Sequence, residues 1–433
     1  MNWIPATGIP VAPRHRSAGT PTHGCVIVLA TIAAALVLPC PQARAANDRS
    51  YRIDYRVTPD PEKQGAVVRT TLVQERRYLR EVSMRMPASR FSGVSGDGEV
   101  RIDKDRVTWL PPESGGTLEW FVKLRHHRDA DSYDAFINDD WALFRATDII
   151  PAARTRTLKG SISHTGIAFD LPDRWSSVTQ YFGRDDRYEV RNPSRRFDRP
   201  TGWILLGDIG TRIDQIAGVR VKVTGPTGES VRRLDMLALM HWALPHLAHV
   251  LPDMPKRLTI FSADSPMWRG GLSGPRSLFI HADLPLINEN STSTLLHELL
   301  HVSTELTAEP GADWIVEGLA EYYGLELLRR SRTIGIDRFR DAVADLRDWG
   351  KSADPLCSGP STGAMTARAV AVMVDLDEEL RSASSGRTGL DQVLRRLVAE
   401  RNKVSVAELR DIAADLHGGP VSTLSARRLP GCD

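Results

Sequence analysis

The sequence predicts an α+β protein with a β-rich N-terminal half and a mostly helical C-terminal half. Two features of the hydrophobic pattern predict this. Up to about residue 225, hydrophobic residues alternate with polar ones, which is the period of half-buried strands. After that point they recur every three or four positions, which is the period of a helix. The turn-forming residues 224–228 separate the two patterns and mark the expected boundary.

Strands are expected in the N-terminal half because three segments alternate strictly. Their hydrophobic members are Tyr51, Ile53, Tyr55 and Val57, then Leu118, Trp120, Val122 and Leu124, then Val219, Val221 and Val223. Turns rich in Gly and Asp, such as residues 95–98, lie between these segments. We therefore expect an all-β domain over residues 46–225.

Helices joined by two short strands are expected in the C-terminal half. A hydrophobic stripe at helical spacing follows residue 230, and Pro245 within it predicts a kink. The stripe consists of Leu234, Leu237, Ala238, Leu244, Leu247 and Leu251. Short strands are expected at 258–261 and 277–282. Ser405 and Glu408 have the spacing of a capping box that opens one of the last helices.

The first 45 residues have the pattern of a signal peptide. Arg14, His15 and Arg16 form a basic start, an uncharged apolar run covers 25–38, and residues 43–45 read Ala-Arg-Ala. The apolar run is short for a transmembrane helix, although an uncleaved anchor is the alternative. We expect a secreted or periplasmic protein with no integral membrane segment after signal cleavage.

Two of the four cysteines remain after signal removal, namely Cys357 and Cys432. An even number of cysteines in an exported chain favours a disulfide over the alternative of two unpaired buried thiols. Lys and Arg total 56 and Asp and Glu total 54. This balance gives no electrostatic reason to expect nucleic acid or an anionic membrane as a partner.

Residues 297–301 read His-Glu-Leu-Leu-His within a segment of good helix formers. Positions four apart lie on one face of a helix, so His297 and His301 can direct two imidazoles at one zinc ion. Glu298 lies next to them and is the expected general base for a water molecule activated by the metal. The alternative is a solvated helix that carries two histidines on its surface.

A second helix is expected to begin near Trp314 and to supply the third ligand. Fifteen residues, including Pro310-Gly311, separate His301 from Glu317. A connection of that length lets the second helix fold back beside the first, so that Glu317 completes a three-ligand site open to water and substrate. Glu321 lies one turn further on. It is expected to accept the outer N–H of a zinc-bound histidine, with a surface carboxylate as the alternative.

Residues 314–323, Trp-Ile-Val-Glu-Gly-Leu-Ala-Glu-Tyr-Tyr, resemble the W-x-x-E-G-x-x-x-Y-Y helix of gluzincin metallopeptidases. The resemblance is closest to the glycyl-aminopeptidase family and more distant to leukotriene-hydrolase-like aminopeptidases. Residues 374–381 and 389–391 are similar to later helices of that family. The resemblance implies a thermolysin-like catalytic domain over 226–350 and a C-terminal helical region over 351–433.

The sequence departs from the family pattern at two places. Where the family carries a Glu that binds the free amine of the substrate, residues 270–273 read Gly-Gly-Leu-Ser. The family also uses a downstream tyrosine to stabilise the oxyanion, but no tyrosine follows Tyr323. Arg368 is a candidate replacement because a guanidinium offers fixed hydrogen-bond donors. His281 is another candidate for an oxyanion or substrate contact, with a half-exposed strand histidine as the alternative.

These observations predict a zinc peptidase that binds one Zn²⁺ per chain and acts on a peptide or protein substrate. The alternative is a catalytically weak pseudopeptidase that serves as a peptide-binding or envelope-assembly module. The two departures favour the alternative, whereas Glu298 argues against it because a binding module has no need of a general base. A structural zinc site is disfavoured, since such sites usually have four protein ligands and are rich in cysteine.

Overall fold

Three sheets form the N-terminal half of the computed structural model, which describes residues 49–192, 196–400 and 403–432. The elements of this half are β1 (Ser50–Asp60), β2 (Gly65–Val73), β3 (Leu79–Arg85), β4 (Phe91–Gly96), β5 (Glu99–Asp103), β6 (Arg106–Leu110), β7 (Gly115–Lys123), β8 (His126–His127), β9 (Tyr133–Ile137), β10 (Trp141–Arg145), α1 (Ala146–Ile149), β11 (Ala153–Thr157), β12 (Ile162–Phe169), β13 (Ser176–Thr179), β14 (Phe182–Arg184), β15 (Arg187–Val190) and β16 (Trp203–Gly207). The strand orders are β14-β15-β12-β1-β2-β7-β4, β13-β16-β10-β9-β8 and β11-β3-β6-β5. The signal-peptide prediction lies outside the described residues.

Helices dominate the second half, as the change in periodicity predicts. Its elements are β17 (Ile209–Ile216), β18 (Val219–Pro226), α2 (Arg233–Val250), β19 (Arg257–Ala263), β20 (Gly271–Gly274), β21 (Ser277–His281), α3 (Thr294–Thr304), β22 (Thr307–Ala308), α4 (Asp313–Arg330), α5 (Ile336–Gly350), α6 (Ala364–Ala383), α7 (Leu390–Glu400), β23 (Lys403–Val404), α8 (Val406–His417) and a 3₁₀ turn (Ser422–Leu424). The α+β class is therefore confirmed, with its β-rich part first and its helices last. No helix among the described residues is both long and apolar enough to cross a lipid bilayer.

A five-stranded sheet, ordered β17-β18-β19-β21-β20, separates the two halves. Leu278 and Ile280 of β21 pack on one face into the core that includes the helices. Phe279, between them, packs on the other face against Trp203 of β16, with ring centroids 5.2 Å apart. The Trp203 indole also donates to the Leu272 carbonyl over 3.0 Å. The N-terminal sheets therefore support the outer face of β20 and β21.

The expected boundary at 225/226 falls inside one sheet. The hairpin of β17 and β18 ends at that point, yet β18 pairs in parallel with β19, and Val221 lies opposite Leu258. Parallel neighbours need a crossover connection, and here α2 provides it. The turn residues 224–228 thus include the end of a central strand and the turn that follows it. The division into domains stays a prediction.

Helix α4 is buried along most of its length and holds the helical half together. Gly318 approaches α6 so closely that a Cβ at this position would lie 2.8 Å from the Ala369 Cβ. At the other end of α4, the Tyr323 hydroxyl donates to Asp391 of α7 over 2.8 Å, and Arg330 pairs with the same carboxylate at 2.9 Å. These contacts hold α4 in place.

A disulfide joins Cys357 to Cys432, 75 residues apart, with an S–S distance of 2.00 Å. It connects the segment before α6 to the C-terminal end of the described chain. Ser405 and Glu408 form a capping box at the start of α8, as their spacing predicts.

We predict that Gly271→Ala destabilises the fold. An added Cβ would lie 2.7 Å from Thr294 Cγ2 and 2.8 Å from Glu298 Cγ, so β20 and α3 would have to separate. Overpacking of this kind typically costs about 1–3 kcal/mol in the free energy of unfolding. Gly274→Ala is the matched control on the same strand, because its Cβ would meet atoms at 3.5–3.7 Å, which is ordinary contact. Chemical denaturation measures both, and equal stability of the two variants would contradict this packing.

Candidate metal centre

Helix α3 presents His297 and His301 to a cleft because its hydrophobic side chains face the core. Leu295, Leu296 and Leu299 are buried, as are Leu300 and Val302. The helix begins after Ser293, whose hydroxyl donates to the Leu286 carbonyl over 2.6 Å. With the apolar positions committed to the core, the two histidines lie on the remaining face, each with about 15% of its side chain exposed.

Three candidate ligands from two helices converge at this cleft. The Nε2 atoms of His297 and His301 lie 3.1 Å apart. Glu317 of α4 places one carboxylate oxygen 3.2 Å from His297 Nε2 and the other 3.5 Å from His301 Nε2. Two nitrogens bound to one tetrahedral zinc at about 2.0–2.1 Å lie roughly 3.3 Å apart. The arrangement therefore fits a single small cation, and two imidazoles with one carboxylate are a donor set that zinc accepts.

Glu321 lies one turn after Glu317 and contacts the outer nitrogen of the first histidine. Its carboxylate is 2.9 Å from His297 Nδ1. A hydrogen bond there keeps the proton on Nδ1 and leaves Nε2 free to bind a metal. This is the position in which the sequence predicts Glu321.

The charges at this cluster shift two pKa values in opposite directions. Burial alone would lower the pKa of His297, but its hydrogen bonds with Glu317 and Glu321 outweigh burial and raise that pKa to about 10. Burial would raise the pKa of Glu317, but the two histidines lower it to about 2. In the metal-free protein at neutral pH, His297 is therefore protonated and Glu317 is ionised, so a bound cation takes the place of a proton.

Glu298 is the most buried carboxylate at the cleft, with 8% of the residue exposed. Burial raises its pKa, while the nearby histidines and a hydrogen bond with Ser273 oppose the rise. The cleft itself has a volume of about 380 Å³, and Glu298 lines it together with the three candidate ligands. A carboxylate with a raised pKa beside the ligands is placed to accept a proton from a water molecule in the cleft.

His281 and Arg368 do not reach this cluster. His281 is fully buried and shares the face of β21 that Phe279 presents to the N-terminal sheets, so neither the predicted substrate contact nor a half-exposed histidine describes it. Its Nε2 lies 3.9 Å from Asp264. Arg368 on α6 directs its guanidinium to the Asp354 carbonyl at 3.5 Å. Side chains alternate between the two faces of a strand, and the strand pattern alone does not show which face borders the cleft.

Other residues that line the cleft were not predicted as site residues from the sequence. Leu272 and Ser273 come from β20, Thr307 and Ala308 from β22, and Val316 from α4. Residues 270–273 stand where the resembling family has its amine-binding stretch, and Gly271 of this strand allows it to approach Glu298. Among the described residues that line the cleft there is no tyrosine.

The fold is similar to those of known metallopeptidases. No family model and no curated sequence matches the chain. An aminopeptidase N family protein from Idiomarina loihiensis superposes with a TM-score of 0.64 at 16% identity, covering 80% of this chain and 70% of that one. An M1 zinc metallopeptidase from Deinococcus radiodurans gives 0.58 at 15% identity, with 89% and 93% covered. The chain has the fold of the M1 zinc metallopeptidases.

The M1 fold agrees with the resemblance to gluzincin peptidases that residues 297–323 carry, and this part of the prediction is confirmed. Legionella pneumophila aminopeptidase A, solved with aspartic acid, has a TM-score of 0.55 at 12% identity, and the match covers 87% of this chain and 49% of that one. Similarity at these identities shows the fold alone. The closer relationship to glycyl-aminopeptidases stays a prediction.

We predict that the purified protein binds about one zinc ion per chain and releases about one proton as it does so at pH 7. The metal-free pKa of His297, about 10, means that zinc displaces its proton below that pH. The apparent affinity should therefore rise by about tenfold per pH unit from about pH 7 to 9. Calorimetry in buffers of different ionisation enthalpy measures both quantities.

The variants His297→Ala and Glu317→Ala should lose the zinc, whereas His241→Ala, which removes an exposed histidine of α2, should keep it. Absence of zinc after purification in excess metal would refute the site. Equal zinc content in wild type and Glu317→Ala would refute only the third ligand.

Proposed function

We propose that this chain is a zinc-dependent peptidase of the gluzincin type, with a thermolysin-like catalytic domain and one Zn²⁺ held by His297, His301 and Glu317. The observation that carries the proposal is the convergence of three ligand atoms from α3 and α4 beside a buried carboxylate, Glu298. Export to a periplasmic or extracellular compartment is part of the proposal, and the Cys357–Cys432 disulfide supports it.

The side chains divide the chemistry of peptide hydrolysis among them. When bound, zinc would polarise the scissile carbonyl and lower the pKa of a water molecule. Glu298 accepts a proton from the attacking water and passes it to the leaving amine. Glu321 holds the His297 ring in the tautomer that directs Nε2 into the cleft. Burial of Glu298 keeps its pKa raised, which suits a group that must both accept and return a proton.

Strand β20 is the proposed template for the substrate backbone. It lies at the edge of its sheet and pairs with β21 along one side only. An extended peptide can pair with the open side of such a strand through main-chain hydrogen bonds. Leu272 and Ser273 of β20 line the cleft beside His297 and Glu298, so a peptide in this position has its backbone next to the candidate metal site.

Ser273 bears on whether cleavage is internal or terminal. It stands where the resembling family has the carboxylate that binds a free amine. A serine there offers no charge to an ammonium group, so we propose that the substrate need not present its N-terminus at this point. One solved M1 zinc metallopeptidase variant has a Tyr-Ser-Ala substrate bound.

The alternative function, a pseudopeptidase that binds peptide without cleaving it, is favoured by one observation. The described lining of the cleft contains no tyrosine, and Arg368 lies against Asp354. The donor that stabilises the oxyanion in the resembling family is therefore missing among these residues.

We predict that Glu298→Gln keeps zinc and fold but loses at least about a hundredfold in kcat/KM for peptide hydrolysis, because an amide cannot accept the proton. Glu309→Gln is the matched control, since Glu309 is exposed and lies outside the cleft lining. A peptide-library digest followed by mass spectrometry measures the loss. If wild type and Glu298→Gln both bind peptides and neither cleaves any, the pseudopeptidase is correct and the enzyme assignment is wrong.

A further inference from the structure

A larger groove, with a volume of about 990 Å³, opens beside the candidate metal centre. Leu306 and Thr307 line both the cleft and the groove, so the two adjoin at these residues. The turn after β20, at Pro275 and Arg276, forms part of the groove's lining. The strand that borders the metal ligands therefore leads directly into this second space.

Positively charged side chains dominate the lining of the groove. Arg191, Arg199, Arg276 and Lys403 contribute four cations, against two carboxylates, Asp253 and Glu305. Arg191 and Arg199 lie in the segment between β15 and β16, and Arg276 lies in the β20–β21 turn. The two carboxylates follow the helices α2 and α3. The positive charge is thus concentrated on one wall.

The hydrogen bonds recorded for the central cations go to neutral oxygens. Arg276 donates from Nε to the Gln180 side chain over 2.9 Å and from Nη2 to the Arg191 carbonyl over 3.1 Å. Arg199 donates to the Ile150 carbonyl over 2.7 Å. Neutral acceptors orient the Arg276 guanidinium without cancelling its charge, so it can still pair with an anion. The Arg199 guanidinium is largely buried, which lowers its pKa, and it serves mainly to anchor its segment to Ile150.

The outer cations differ from the central ones. Arg191 pairs with Glu189 at 2.7 Å, which offsets its charge, whereas Lys403 is exposed at the rim. Beyond the rim, burial lowers the pKa of Arg257, and the positive charges of Arg276 and Arg220 lower it further. The positive field therefore extends past the groove on the side of Arg276.

We propose that this groove binds an acidic segment of the peptide substrate, two to four residues from the scissile bond and on one side of it. The inference rests on the proposed function and names the substrate class for that site. A peptide paired along β20 passes Ser273 at the cleft and leaves the strand at Gly274, beside the Pro275–Arg276 turn that lines the groove. Side chains two to four residues from the scissile bond enter the groove, where Asp or Glu would meet Arg276 and Lys403.

The test uses acetylated and amidated peptides that differ only in Asp or Glu against Asn or Gln, placed two to four residues before or after the cleavage site. We expect kcat/KM to be about three- to thirtyfold higher for the acidic peptide on one side only. This preference should shrink when salt rises from about 0.05 M to about 0.3 M. Affinity of the same peptides for zinc-loaded Glu298→Gln, measured by fluorescence anisotropy, should show the same difference.

Variants assign the preference to the groove. In Arg276→Gln/Lys403→Gln, the ratio of kcat/KM for acidic to neutral peptide should fall by about threefold to tenfold. Arg276→Lys should retain most of the ratio, because the charge remains even though the planar fork is lost. Lys123→Gln is the matched control: it removes one charge from an exposed lysine of β7, outside the groove lining, and should leave the ratio unchanged.

The outcomes separate this inference from the proposed function. If acidic residues change neither kcat/KM nor affinity at any position, the proposed role of the groove is wrong, although the peptidase assignment stands. An acidic preference that persists in the double variant would also overturn it. Salt-sensitive binding of acidic peptides to Glu298→Gln, with no cleavage by wild type, would keep the groove and refute the peptidase.

Discussion

The packing of α3 against α4 is the constraint on which the rest of the site depends. It brings two imidazoles and the Glu317 carboxylate so close that their ligand atoms lie within 3.5 Å of one another. Without a cation, a proton on His297 offsets the negative charge of the Glu317 and Glu321 carboxylates, whose hydrogen bonds raise the pKa of His297 to about 10. The cluster therefore needs a positive charge at this point. A divalent metal can provide that charge when His297 releases its proton.

Neighbouring helices and strands hold α3 and α4 in place. Gly318 lets α4 approach α6, and Asp391 of α7 accepts bonds from Tyr323 and Arg330 at the far end of α4. On the opposite side of the cleft, Gly271 lets β20 approach Glu298, and Trp203 holds that strand from behind. The candidate ligands thus lie on packed helices, and Trp203 supports the edge strand β20 from behind. Both features provide the rigidity that a catalytic metal site needs.

The parts predicted from the sequence are those governed by local periodicity. The i, i+4 spacing fixes His297 and His301 on one face, and the approach of Glu317 follows from a short connection between two helices. Long-range packing decided the rest. Leu234 fits the hydrophobic stripe of α2 yet is 65% exposed in the first turn of that helix. His281 lies on the predicted strand, but only the tertiary structure shows that its face, shared with Phe279, meets the N-terminal sheets rather than the cleft. The groove is likewise invisible to sequence patterns, since its cations come from segments more than 200 residues apart.

Zinc K-edge X-ray absorption of the metal-loaded protein tests the central claim most directly, because it identifies the atoms around the metal. We expect a first shell of nitrogen and oxygen only, at about 2.0–2.1 Å, with the signature of two imidazole rings in the wild type, and no such zinc signal from His297→Ala. A spectrum with sulfur ligands, or one that His297→Ala leaves unchanged, would contradict the account, the latter because the metal would then lie elsewhere, for example near Asp264, His281 and Asp283.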